Sequence, residues 1–156
     1  MSRKLTVVAV LGALAVTLVT VAAAGPVAAK QRIAIQVKGG STSSFVLTTL
    51  TSGAVKRDTG TATFCCWSQR FITRDGQKIE INDPQMTLTS KRGTLVARNV
   101  IDWVDIPDGW GVFTGTWKVL RGTGDYAGVT GGGRGAGVML LNGITKAQFE
   151  GFLSSK

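Results

Sequence analysis

From residue 31 onward the chain repeats its apolar residues at every second position, and that spacing restricts it to β-structure. Ile33, Ile35 and Val37 alternate with Arg32, Ala34 and Gln36, and Ile79 and Ile81 alternate with Lys78 and Glu80. Successive side chains of a strand point to opposite faces, so this pattern buries one face and wets the other. Further β-prone runs lie at 45–50, 61–67, 70–73, 86–89, 94–106, 110–120, 138–141 and 147–153. The punctuation between them is turn chemistry. Asp75-Gly76 suits a tight hairpin, because both central positions need positive φ. Asn82-Asp83-Pro84, Arg92-Gly93, Pro107-Asp108-Gly109 and Asn142-Gly143 read as further turns. Eight or nine short strands joined by brief turns predict an all-β fold. A single closed antiparallel β-barrel of eight strands is favoured over a sandwich, since closure leaves no open edge.

The first residues read as a different object. Arg3 and Lys4 precede an apolar stretch that ends in Ala22-Ala23-Ala24-Gly25-Pro26-Val27-Ala28-Ala29. Charge, apolar run and small-residue site is the order of a secretory signal peptide. Cleavage after Ala29, with Ala24 as the alternative site, divides the chain into a signal peptide at 1–29 and one barrel domain at 30–156. The mature protein is expected outside the cytoplasm, with no membrane contact once the signal is gone. Loss of Arg3 and Lys4 lowers the formal charge from +9 to +7. The remaining basic residues are scattered along the chain, which reads as solvated surface, with no nucleic-acid partner expected.

The chain has no histidine. That removes Ser-His-Asp and Cys-His nucleophile pairs and histidine metal sites. Its two cysteines, Cys65 and Cys66, are neighbours, and two adjacent thiolates do not supply the four ligands of a structural zinc site. Three states stay open for them: a vicinal disulfide, buried free thiols, or intermolecular pairing. The first must depart from regular strand geometry, where the two side chains face opposite ways.

Residues 122–137 read GTGDYAGVTGGGRGAG. Gly122-Thr123-Gly124-Asp125-Tyr126-Ala127 formally fits a dinucleotide fingerprint behind a strand. That site also needs a helix starting at once, with its free amides on the pyrophosphate. The residues that follow are among the poorest helix formers, and no lysine-serine or lysine-threonine pair ends the loop. The glycines Gly122, Gly124, Gly128, Gly131 and Gly133 therefore read as architecture, allowing positive φ and close approach at a barrel corner. No nucleotide or metal cofactor is expected.

A strand carrying tryptophan and valine, then Gly122-Thr123-Gly124-Asp125-Tyr126-Ala127-Gly128, then a Gly-x-Gly strand resembles the dirigent and allene oxide cyclase barrel superfamily. The likeness is sharp over residues 115–135. It implies an eight-stranded barrel whose lumen takes a small apolar or aromatic molecule, with Tyr126 plugging a barrel end or covering the turn. Oligomers are common in that superfamily. It transfers no catalytic residue, so the reading is a dirigent-like binder, with a cofactor-free cyclase or isomerase and a filled, non-catalytic envelope barrel as alternatives. The candidate ligand residues are Arg98, Asp102, Trp103 and Tyr126. Arg98 and Asp102 share one strand face and would form an orienting or acid-base pair if that face points inward. Asp102, Asp105 and Asp108 do not make a calcium loop, because alternation separates the first two.

Overall fold

The structure, a computed structural model, describes residues 29–40, 42–107 and 109–155. The signal-peptide expectation thus lies outside the described residues apart from Ala29, and so does Asp108 of the expected turn. Ten strands follow one another: β1 (Gln31–Gly39), β2 (Thr42–Thr49), β3 (Asp58–Cys65), β4 (Gln69–Arg74), β5 (Gln77–Asn82), β6 (Gln85–Ser90), β7 (Gly93–Ile106), β8 (Trp110–Gly122), β9 (Thr130–Met139) and β10 (Thr145–Ser154). Every pairing is antiparallel. Eight strands close on themselves in the order β7-β6-β3-β2-β1-β10-β9-β8, with β8 returning to β7. The fold is a closed eight-stranded antiparallel barrel.

The remaining two strands, β4 and β5, continue β3 and β6 beyond the barrel. Gln85 faces Arg98 and Asn82 faces Ile101, so β6 and β5 keep one register along β7. The expected turn at Asn82-Asp83-Pro84 is therefore corrected: the chain runs straight on. Pro84 has no N–H for the ladder, but its carbonyl accepts the Asn99 amide at 2.9 Å. Opposite this break, Cys65 faces Gln85 and Gln69 faces Asn82. Cys66, Trp67 and Ser68 thus stand against Asp83 and Pro84 alone, which makes a one-residue bulge. Cys66 takes the left-handed conformation there, at φ 59°. That turns its side chain from the alternation of a strand, and Cys65 and Cys66 are joined by a disulfide. The β4–β5 hairpin turns at Asp75-Gly76, both with positive φ, as the sequence predicts.

One end of the barrel, at the start of β1, β3, β7 and β9, is closed. Ile33, Ile35, Leu47, Met86, Leu88, Leu95 and Leu153 are fully buried in its core. Gln31 is buried too, donating to the Thr51 and Val55 carbonyls at 3.0 and 2.7 Å and accepting from the Val55 amide at 2.9 Å. These bonds hold the β2–β3 loop across the barrel foot.

The glycine stretch divides. Gly124–Tyr126 is one 3-10 turn, and Gly124 and Gly128 have positive φ (58° and 71°). No helix follows it: β9 starts at Thr130, well before the strand expected at 138. Within β9 the glycines make room for rings. A Cβ on Gly135 would lie 2.3 Å from the Phe149 ring, and one on Gly137 would lie 2.3 Å from that of Phe113.

Candidate functional site

The upper half of the barrel, where β7 and β8 run past the closed ring, is not filled. Strand alternation decides which side chains reach that space. On β7 the inward set is Asn99, Ile101, Trp103 and Asp105, and on β5, which pairs with it, Glu80 and Asn82. Phe113 from β8 and Phe149 from β10, both buried, line it as well. Phe64 and Trp67 flank it at the disulfide bulge, and Ser43, Met139 and Thr145 complete the rim. The resulting cavity is about 680 Å³ and opens at the barrel mouth. That size, and a lining that combines five aromatic rings with convergent polar groups, suit a small-molecule site.

Two details give the site its chemistry. Trp103 stacks on Phe113, with ring centroids 5.8 Å apart and planes 13° apart. The stack requires Gly111, whose Cβ would fall 2.0 Å from the Trp103 ring. The Trp103 indole N–H donates to Asp105 at 2.8 Å, so the ring is held at its polar edge also. The second detail is Asn99, which is only 1% exposed. Its Nδ2 donates to the Pro84 carbonyl at 3.3 Å, and its Oδ1 is buried with no hydrogen-bond partner. A buried amide oxygen left unpaired is costly. It is sealed from solvent here, so a donor reaches it only when the Asn99 side chain turns toward the cavity that it lines. Glu80, by contrast, is already engaged, accepting from Asn82 Nδ2 at 2.6 Å.

The sequence-predicted ligand residues separate. Trp103 lines the cavity. Arg98 and Asp102 do not pair with each other. They lie on the outer face, Arg98 bound to Asp83 and Asp102 to Arg74 at 3.3 Å. The inward face of that strand is the one carrying Asn99. Tyr126 is at the opposite end of the barrel, 2% exposed, and its hydroxyl donates to Asp58 at 2.6 Å. The Arg98–Asp102 orienting or acid-base pair is therefore corrected, since strand parity turns both residues outward, and Tyr126 is too far from the cavity to contact a ligand there. Asn99, Glu80, Asn82 and the phenylalanines of the wall, Phe64, Phe113 and Phe149, are not among the residues that the sequence singles out. For Asn99 the signal was present as a polar residue in phase with Ile101 and Trp103. For Glu80, the buried Ile79 and Ile81 made its own face look like the solvent side.

Tyr126 instead belongs to a buried network. Asp58 accepts from Ser90 Oγ at 2.5 Å, from Tyr126, and from the Thr59 amide at 2.8 Å. Burial works to raise the Asp58 carboxyl, but these three donors and nearby Arg92 outweigh it and hold it below the usual carboxylate range. Burial, and then the bond to Asp58, push the Tyr126 phenol well above its ordinary value. Among the described residues no three metal-ligating side chains of His, Cys, Asp or Glu come together. The chain matches no protein-family model, no curated protein and no solved structure.

Proposed function

We propose that this protein binds a small, mostly apolar or aromatic molecule in the open end of its barrel and orients it without metal or nucleotide, in the manner of a dirigent-type barrel. The observation that carries the reading is an open cavity of about 680 Å³ with five aromatic rings in its wall and Asn99, whose buried Oδ1 has no partner, in its lining. The Trp103–Phe113 stack and the buried Phe149 ring supply a surface for an aromatic face, and Asn99 selects a ligand with one hydroxyl or N–H donor at its inner edge. The closed eight-stranded barrel, with the Gly122–Gly128 motif between β8 and β9, supports kinship with dirigent and allene oxide cyclase barrels. Export remains part of the proposal, resting on the charge and apolar order of residues 1–29.

Titration with a paired panel tests this. 2-Naphthol and naphthalene have nearly the same shape and differ in one donor. Saturable quenching of tryptophan fluorescence by the phenol, roughly tenfold tighter than by the hydrocarbon, is expected. Native mass spectrometry of protein purified from its own medium should show a retained adduct. A cavity that neither quenches with any aromatic probe nor retains an adduct overturns the reading.

A further inference from the structure

Folding sorts the charges that the sequence scatters. Lys30 precedes β1, Lys56 and Arg57 precede β3, Lys91 and Arg92 form the β6–β7 turn, and Arg121 lies at the foot of β8. All are exposed, and all stand at the closed end. The acids at that end are Asp58, nearly buried beneath Tyr126 and Ser90, and Asp125, paired with Arg92 at 2.9 Å. At the open end the signs nearly balance, six basic residues against five acidic among those described. Arg74 and Arg98 are paired with Asp102 and Asp83, and Asp75, Glu80 and Asp105 share that end with Lys38, Arg70, Lys78 and Lys146. The positive excess of the described chain is thus concentrated on one pole.

The same pole carries exposed apolar side chains. Leu50, Leu120 and Phe152 are 49%, 50% and 46% exposed. Phe152 stands directly opposite Arg32 on β1 and Gly132 on β9, and Gly132 stands opposite Lys118 on β8. A phenylalanine is therefore flanked by two exposed basic residues across a glycine gap. Leu120 is the extra residue of a bulge: Arg121 faces Val96 and Val119 faces Ala97, which leaves Leu120 with no opposite number. Leu50 is tied to Arg32 by its amide, at 2.8 Å.

We propose that the closed pole docks on the surface of an anionic phospholipid bilayer. The lysines and arginines meet lipid phosphates, and Leu50, Leu120 and Phe152 enter the interface, the combination of basic and apolar side chains that interfacial binding uses. A soluble polyanion would satisfy the charges but gives no role to the apolar residues set among them. Docked this way, the cavity mouth faces away from the bilayer and stays open to its ligand. The expectation of no membrane contact rests on the lack of a further apolar run long enough to span a bilayer. The basic residues that meet at this pole are far apart in the chain and form one surface only on folding.

The test is co-sedimentation of the protein, purified from its producing cells, with vesicles of phosphatidylcholine alone or mixed with phosphatidylglycerol. Binding only to the anionic vesicles, weakened by salt, is expected. The pair Lys56→Gln/Arg57→Gln should lower partitioning roughly thirtyfold. The pair Lys38→Gln/Lys146→Gln removes the same charge at the open end and should leave it nearly unchanged. Leu120→Ser/Phe152→Ser should weaken vesicle binding while leaving retention on dextran sulfate intact. Equal binding to neutral vesicles, equal loss from both charge pairs, or vesicle binding indifferent to Leu120 and Phe152 overturns the proposal. The last of these results would assign the pole to a soluble polyanion.

Discussion

Tyr126 and Asp58, separated by 68 positions in the chain, meet in a 2.6 Å hydrogen bond that closes one end of the barrel. The bond ties the turn between β8 and β9 to the first residue of β3, across the inside of the fold. Tyr126→Phe removes one of the donors to a nearly buried carboxylate and should cost about 1–3 kcal/mol in urea unfolding. The naphthol affinity should not change, because the cavity is at the other end. A parallel loss of ligand affinity would mean that the two ends are coupled.

The same pair sets a pH signature. Asp58 is held below its unfolded value of roughly 3.9, so its contribution to stability is complete above that value and is lost as pH falls through the folded pKa. Tyr126 is shifted the other way, so its contribution is complete below about pH 10 and is lost as pH rises beyond it. Thermal unfolding of Asp58→Asn should show a weaker acid-side slope than the parent chain. An unchanged acid limb would show that Asp58 is not the titrating group.

Glycines that look alike in the sequence should respond differently to alanine. Gly128 has φ 71° with open space around its missing Cβ, so Gly128→Ala costs only the backbone term, about 1–2 kcal/mol. Gly124 has φ 58° and its Cβ would also lie 2.2 Å from the Arg92 carbonyl oxygen, so Gly124→Ala should cost clearly more. Gly135→Ala drives a methyl into the Phe149 ring and should cost a further 1–3 kcal/mol or so of overpacking, at a position with ordinary φ. Chemical denaturation of the three variants checks the ranking.

The barrel was legible because alternation and turn residues are local, and both survive into the structure at β1, β5 and the Asp75-Gly76 hairpin. The Gly124 corner was legible for the same reason. What stayed hidden depends on partners far away in the chain. Asp83-Pro84 carries the composition of a turn, yet β7 holds the chain straight by accepting it in unbroken register. The inward face of β7 was ambiguous, since Arg98 and Asp102 alternate as regularly as Asn99 and Ile101. Only the closure of β7 against β8 decides between them. The length of β9 was missed because glycine has little strand preference of its own. Its strand character comes from its neighbours: the Phe149 and Phe113 rings occupy the space that side chains at 135 and 137 would take.

Neither outward ion pair should matter much. Arg98 and Arg74 have side chains more than half exposed, so Arg98→Ala and Asp102→Asn should each change stability by less than about 1 kcal/mol. Both should leave 2-naphthol binding unchanged. Asn99→Leu separates the two faces of the same strand. It removes the unpaired oxygen and fills its place with carbon, so it should erase the preference of roughly tenfold for the phenol over naphthalene while keeping hydrocarbon binding. Loss of the preference in Arg98→Ala but not in Asn99→Leu would reverse the assignment of the inward face. The comparison is informative because the two residues are adjacent, so a general weakening of β7 would affect both variants alike, and only the direction of the side chain distinguishes them.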